Sequence, residues 1–190
     1  MKLSDALWDF IADQGVKHVF MVAGGGCMHL VDSLGQNKRL QYICCLHEQV
    51  AGLAAEAYAQ FNGLGVCLVT SGPGGTNAVT ACASAWSNSM PVLFISGQVN
   101  TWQLKIPEQR FNGVQELDII SMVKPITKFA GTLGIEYLDV GNINIGLNKK
   151  YWWKNNLGKL LSTYLIDVAK QPRQAPVWLE IPLDMQSAEI

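Results

Sequence analysis

Charge is scarce in this chain: Asp, Glu, Lys and Arg make up 15% of its 190 residues and nearly cancel, leaving a formal net charge of −1. So even a balance excludes the electrostatic footprint of a nucleic-acid binder, and no Lys/Arg run interleaved with aromatics replaces it. Long apolar runs are missing too. No stretch reaches the roughly 18 uncharged apolar residues of a membrane span, and the opening Met1-Lys2-Leu3-Ser4-Asp5 carries no apolar leader core. The expectation is a soluble, untargeted, cytoplasmic protein. Paired cysteines are also lacking: the count is five, and Cys44-Cys45 sits inside an apolar run. That pattern reads as core packing in a reducing compartment, not as a disulfide framework or a Cys-x-x-Cys metal site.

What the chain does have is apolar residues, 49% of the total. At this length one domain, 1–190, buries a core without disulfides or metals. The excess over that need implies surface hidden against another domain or subunit.

Ser4 reads as the cap of a first helix whose apolar positions Leu3, Ala6, Leu7, Phe10 and Ile11 follow helical spacing, with Gly15 at its left-handed end. The period then changes. Val19-Phe20-Met21-Val22 is a continuous apolar run, as in a strand covered on both faces. Helix 28–34, strand 42–46, helix 48–62, strand 66–70, helix 77–88 and strand 92–96 follow, with further strands near 126–129 and 177–181 and a helix near 157–170. Regular alternation with short links predicts an α/β fold, three layers (αβα) around a six-stranded, mostly parallel sheet. Function in such a sheet gathers at the carboxyl ends of the strands.

Three loops fall at those ends. Gly24-Gly25-Gly26 lets backbone approach a ligand at a helix start but lacks the spacing of a dinucleotide fingerprint. Ser71-Gly72-Pro73-Gly74-Gly75-Thr76-Asn77 alternates constraint and freedom, and has no Lys to make it a Walker loop. His47-Glu48 joins an apolar strand to an Ala-rich helix. A carboxylate there gains from the helix N-terminus in any protein; beside two glycine loops at the end of a buried strand it should also be desolvated, making Glu48 a candidate proton donor. His29 and His47 read as hydrogen-bonded structural residues, and the tryptophans as core or interface packing.

Taken together, the glycine loop, "HEQVAGLAAEAYAQ", "VTSGPGGTNAVT", "PVLFISGQV" and "GVQELDI…KPITK" resemble the pyrimidine-binding domain of thiamine diphosphate enzymes of the acetolactate synthase and pyruvate oxidase type. The resemblance covers residues 1–130 and returns over 155–187, where "APVWLEIPLDMQ" looks like that domain's last strand; residues 131–154 do not match.

The resemblance implies that Glu48 hydrogen-bonds N1′ of the cofactor's aminopyrimidine and so activates it. It implies that Ala23, Gly24, Gly25, Thr70, Gly74 and Asn77 line the pyrimidine pocket, and that Gln115 approaches the substrate side of the thiazolium. Ala23 stands where the family usually has Pro, and Val114 where it often has Phe. The family holds Mg²⁺ and the diphosphate on a separate domain bearing Gly-Asp-Gly, which occurs nowhere in these 190 residues. The implied partners are thus a diphosphate-binding domain of the same or another chain, a homodimer or tetramer, and a small 2-keto acid as substrate. No protein metal ligand is expected on this chain. The rival expectations are a non-catalytic interaction or regulatory module retaining the fold, and one subunit of a split decarboxylase. A nucleotide-binding Rossmann domain is disfavoured by the glycine spacing and by the lack of a ribose-binding acid after strand 42–46.

Overall fold

Helix α1 (Leu3–Asp13) turns one face, Leu3, Leu7, Trp8 and Ile11, into the core. The computed structural model describes residues 1–104, 112–134, 139–140, 143–144, 158 and 160–190. Ser4 does not cap α1. The cap position is Lys2, two residues earlier, where the Asp5 carboxylate accepts from the Lys2 N–H at 2.9 Å, and the buried Ser4 hydroxyl meets Ser33 Oγ at 2.7 Å. Gly15 does take the left-handed conformation, φ +83°.

The elements then alternate: β1 (His18–Met21), α2 (Met28–Gln36), β2 (Gln41–Cys44), α3 (Glu48–Asn62), β3 (Gly65–Val69), α4 (Pro73–Ser87), β4 (Val92–Gln98), α5 (Ile119–Val123) and β5 (Phe129–Thr132). Two-residue strands β6 (Asp139–Val140) and β7 (Ile143–Asn144) pair antiparallel within the segment that does not resemble the family. A π-helical turn over Leu160–Ile166 runs into a short helix, Asp167–Lys170, before β8 (Val177–Pro182) and a last turn, Leu183–Gln186. The helix read near 157–170 is therefore π-wound along much of its described length. The other residues of 145–159, Gly158 excepted, lie outside the described residues.

Six strands form one sheet in the order β2-β1-β3-β4-β8-β5, every neighbouring pair parallel. Strand alternation sends successive residues to opposite layers. Val66, Leu68, Leu93 and Ile95 join the core beneath α1, α2 and the 160–170 helix, whereas Cys67, Val69, Val92 and Phe94 join the one beneath α3 and α4. The result is the expected three-layer αβα fold. In the second core Trp178 stacks on Phe94 with centroids 5.0 Å apart and donates its indole N–H to Ser96 Oγ at 2.9 Å.

Several boundaries differ from the sequence reading for physical reasons. Strand β5 starts at Phe129, because Pro125 sits in a 3₁₀ turn over Lys124–Ile126. Gly131 and Thr132, assigned from sequence to the atypical segment, complete that strand. Helix α4 begins at Pro73, one turn before residue 77, with Pro in the first turn, where its missing N–H costs nothing. Strand β2 is an edge strand exposed at all four residues, so Cys44 is exposed and Cys45 only half-buried. That corrects the expectation that this pair packs in the core.

Candidate functional site

The strand order reverses between β1 and β3, and in an open α/β sheet ligands sit outside the carboxyl ends at such a point. The three loops named from sequence follow β1, β2 and β3, which are neighbours in the sheet. The fold therefore brings them side by side.

Glu48 is the first residue of α3, held there by His47, whose Nδ1 accepts the Gln49 N–H at 3.1 Å. His47 is thus a helix cap, with Nδ1 unprotonated in this contact. The α3 and α4 faces that meet carry Ala51, Ala55, Ala59, Ala78, Ala81 and Ala85, and a Cβ on Gly52 would collide with Ala81. Small residues let the two helices approach closely. Across that joint the Asn77 amide donates to Glu48 Oε2 at 3.0 Å.

The glycines make the floor. A Cβ on Gly24 would lie 2.5 Å from Thr70 Cβ, and Thr70 Oγ1 accepts the Gly26 N–H at 3.0 Å, tying the first loop to the second. A Cβ on Gly74 would lie 2.8 Å from Thr70 Cγ2 and 3.6 Å from Glu48 Oε1, so glycine there lets the Thr70 methyl pack against the start of α4 beside the acid. Gly25 faces open space and, like Ala23, is exposed. Gly72 takes φ +50°, and its Cα abuts the Gln115 carbonyl. Gln115 itself has φ +60°, rare for a residue with a side chain. All eight residues picked from sequence thus belong to loops and helix ends that meet at one end of the sheet.

Within this single chain Glu48 is only half-buried, short of the full desolvation expected. The site loops and the first turns of α3 also carry exposed apolar residues, Met28, Leu46, Val50, Leu53 and Val114. The neighbouring thiols offer no nucleophile: burial pushes Cys27, Cys67 and Cys82 up from the ordinary thiol range.

A second polar group escaped the sequence reading. Gln98 and Glu180, both buried, lie in the neighbouring strands β4 and β8, where Glu180 pairs with Ser96 and Gln98 with Pro182 two positions further on. Gln98 Nε2 donates to Glu180 Oε1 at 3.1 Å and to the Leu117 carbonyl at 3.1 Å, and Thr132 Oγ1 donates to Glu180 Oε2 at 2.7 Å. Burial, with lesser contributions from Asp118 and Glu116, pushes the Glu180 carboxyl up to about 7 against two hydrogen bonds that lower it. The signal was available: Gln in "FISGQV" and Glu in "WLEIP" interrupt runs that are otherwise apolar or small.

Fold, switch-point site and sequence agree on one class. The family model "Thiamine pyrophosphate enzyme, N-terminal TPP binding domain" matches residues 1–122, and the chain belongs to that family. Its relatives narrow the type. The acetolactate synthase isozyme 1 large subunit of Escherichia coli (strain K12) is 34% identical over 180 residues, 94% of this chain and 28% of that protein. The acetolactate synthase large subunit of Lactococcus lactis subsp. lactis (strain IL1403) is 33% identical over 181 residues, 95% and 27% respectively. The acetolactate synthase of Mycobacterium avium is 40% identical over 119 residues, 62% of this chain and 18% of that protein. The chain is an N-terminal pyrimidine-binding domain of the acetolactate synthase type, and it spans little more than a quarter of the first two relatives.

No described helix is long and apolar enough to cross a membrane.

Proposed function

We propose that residues 1–190 form the pyrimidine-binding half of a thiamine diphosphate-dependent 2-keto acid carboligase or decarboxylase, with Glu48 as the acid that hydrogen-bonds the aminopyrimidine N1′. The observation that carries this reading is the Glu48–Asn77 pair at the joined starts of α3 and α4. A ring nitrogen needs an in-plane partner, and Glu48 Oε1 supplies it. Because Oε2 accepts from Asn77, Oε1 is the oxygen left to share a proton with N1′. Thr70 and Gly24 fix the pocket floor, Ala23 and Gly25 border its open side, and Gln115 reaches from the facing loop.

When bound, the cofactor supplies the electron sink for cleavage or formation of the bond beside a keto group. The chain contributes orientation and one placed proton, worth on the order of 10²–10⁴ in rate.

Its partner in this reading is a diphosphate-binding domain, on the same or another chain, that brings Mg²⁺. The exposure of Met28, Leu46, Val50, Leu53 and Val114 on the site loops and α3 supports such a contact, and with it a dimer or tetramer. The residues alone, without that domain, are expected to be inactive. Five free cysteines among the described residues are compatible with a reducing, cytoplasmic setting.

The test is turnover of pyruvate by this chain assembled with a diphosphate-binding domain, thiamine diphosphate and Mg²⁺, followed as carbon dioxide release. Glu48→Ala lowers it by about 100-fold or more. Full turnover in that variant overturns the role of Glu48, and assembly without cofactor-dependent heat in calorimetry points instead to a non-catalytic module.

A further inference from the structure

Glu180 stands apart from the residues assigned to cofactor binding. It is 3% exposed, inside the sheet, and among the described residues its hydrogen bonds come from an amide and a hydroxyl. Among the described residues the charged groups acting on it are Asp118 and Glu116, both acidic. A buried carboxylate so placed has every reason to keep its proton. The 2.7 Å contact to Thr132 Oγ1 serves the neutral acid equally well with the hydroxyl as acceptor.

What Glu180 touches leads to the site. Its partner Gln98 spends its whole amide: Oε1 accepts the Val99 N–H at 2.9 Å, and Nε2 bonds both Glu180 and the Leu117 carbonyl. Leu117 belongs to the loop 112–118, which Glu116 ties internally by accepting from the Asn112 and Gly113 N–H groups at 2.8 and 2.9 Å. A Cβ on Gly113 would lie 2.5 Å from Val99 Cγ1, so the loop also leans on the residue that Gln98 anchors. The same loop holds Gln115 in its left-handed conformation against Gly72.

We propose that Glu180, held as a neutral acid, is a positioning residue: through Gln98 it clamps the loop 112–118 and keeps Gln115 seated on Gly72 at the edge of the site. This rests on the reading of Gln115 as part of that site. Ionised in place, Glu180 is a desolvated carboxylate with acidic Asp118 and Glu116 beside it, a cost that its two hydrogen bonds offset only in part, so ionisation favours an arrangement that admits water. The loop therefore opens increasingly as pH rises toward neutrality.

Amide hydrogen exchange of the 190-residue chain at pH 5 to 8, corrected for intrinsic rates, tests it. In the unaltered chain the amides of 112–118 lose protection progressively as pH rises to about 7 and change little above it. Glu180→Gln, which keeps the shape and the neutral hydrogen bonds, holds them protected throughout, at least tenfold above the unaltered chain at pH 8. Glu180→Ala leaves them unprotected at every pH while α3 and α4 remain protected. Protection that is independent of pH in the unaltered chain, or a Glu180→Gln chain that tracks it, overturns the proposal. Glu48 variants do not change this exchange pattern, so failure here and failure of the Glu48 reading are separately visible.

Discussion

The Asn77 amide reaches Glu48 Oε2 at 3.0 Å, from the first turn of α4 to the first residue of α3. An amide in that place keeps one carboxyl oxygen as acceptor without adding charge. Replacing it with a carboxylate makes a like-charge pair in which one member holds its proton more tightly. Asn77→Asp is therefore expected to make thiamine diphosphate binding by the assembled protein pH-dependent, weakening it about tenfold between pH 6 and pH 8 relative to the unaltered chain. Calorimetric titration at the two pH values checks this; parallel losses at both would mean that Asn77 acts only by shape.

Gly72 carries two separate demands, a positive φ of +50° and close approach to the Gln115 carbonyl. Gly63, the left-handed end of α3 with φ +77°, carries only the first, since nothing lies within 4 Å of a Cβ there. Gly63→Ala should cost about 1–2 kcal/mol, the strain of a left-handed side chain. Gly72→Ala should cost more than that and also displace Gln115. Urea midpoints of the two variants, set side by side, decide it; equal losses would remove the Gln115 contact from the account.

Much of this site was legible because its chemistry depends on residue types that strands and helices otherwise avoid at these places. Three glycines after an apolar run, a Pro among glycines and an acid at a helix start survive as signals without any contact information. Glu48 opens α3 as read from sequence, and the alternation yielded the sheet and its layers. The edge position of β2 was hidden, because Tyr42, Ile43 and Cys44 are as apolar as a buried strand, and only strand order reveals that nothing described covers them. Glu180 was hidden for the opposite reason. One acid in an apolar run looks like a surface residue until its neighbours β4 and β5 are known to flank it.

The joint between α3 and α4 depends on Gly52, where an added Cβ would meet Ala81 and come within 3.0 Å of Phe94. Gly52→Val pushes the helices apart at a contact that has no slack. Overpacking of this kind costs about 1–3 kcal/mol. It should also lengthen the Glu48–Asn77 contact and weaken cofactor binding, although the added side chain faces Ala81 and Phe94 and not the Glu48 carboxylate or the Asn77 amide. Loss of stability together with loss of cofactor affinity is the expected result from thermal melts with and without thiamine diphosphate. Unchanged affinity would mean that the helix starts are held by their loops alone.

Glu180 gives the chain a pH dependence of unusual sign. Most carboxylates in folded proteins have lowered values and lose stability as pH falls, as Asp32, lowered by its hydrogen bond to Lys2, illustrates here. Glu180 is raised from an ordinary 4.5 to about 7 by burial, so the folded state retains a proton that the unfolded chain has released. Its contribution is fully present below pH 4.5, declines as pH rises through the interval and is gone above about 7. At 1.36 kcal/mol per pH unit the decline is at most about 3 kcal/mol. Asp32, held below the ordinary aspartate range, acts in the opposite sense, which makes the difference between the unaltered chain and Glu180→Gln the informative quantity. The glutamine side chain stays neutral in both states, so its stability relative to the unaltered chain should rise by about 2–3 kcal/mol between pH 4.5 and pH 7.5 in urea titrations. A difference that stays flat across that interval would show that Glu180 ionises in the folded chain as it does in the unfolded one.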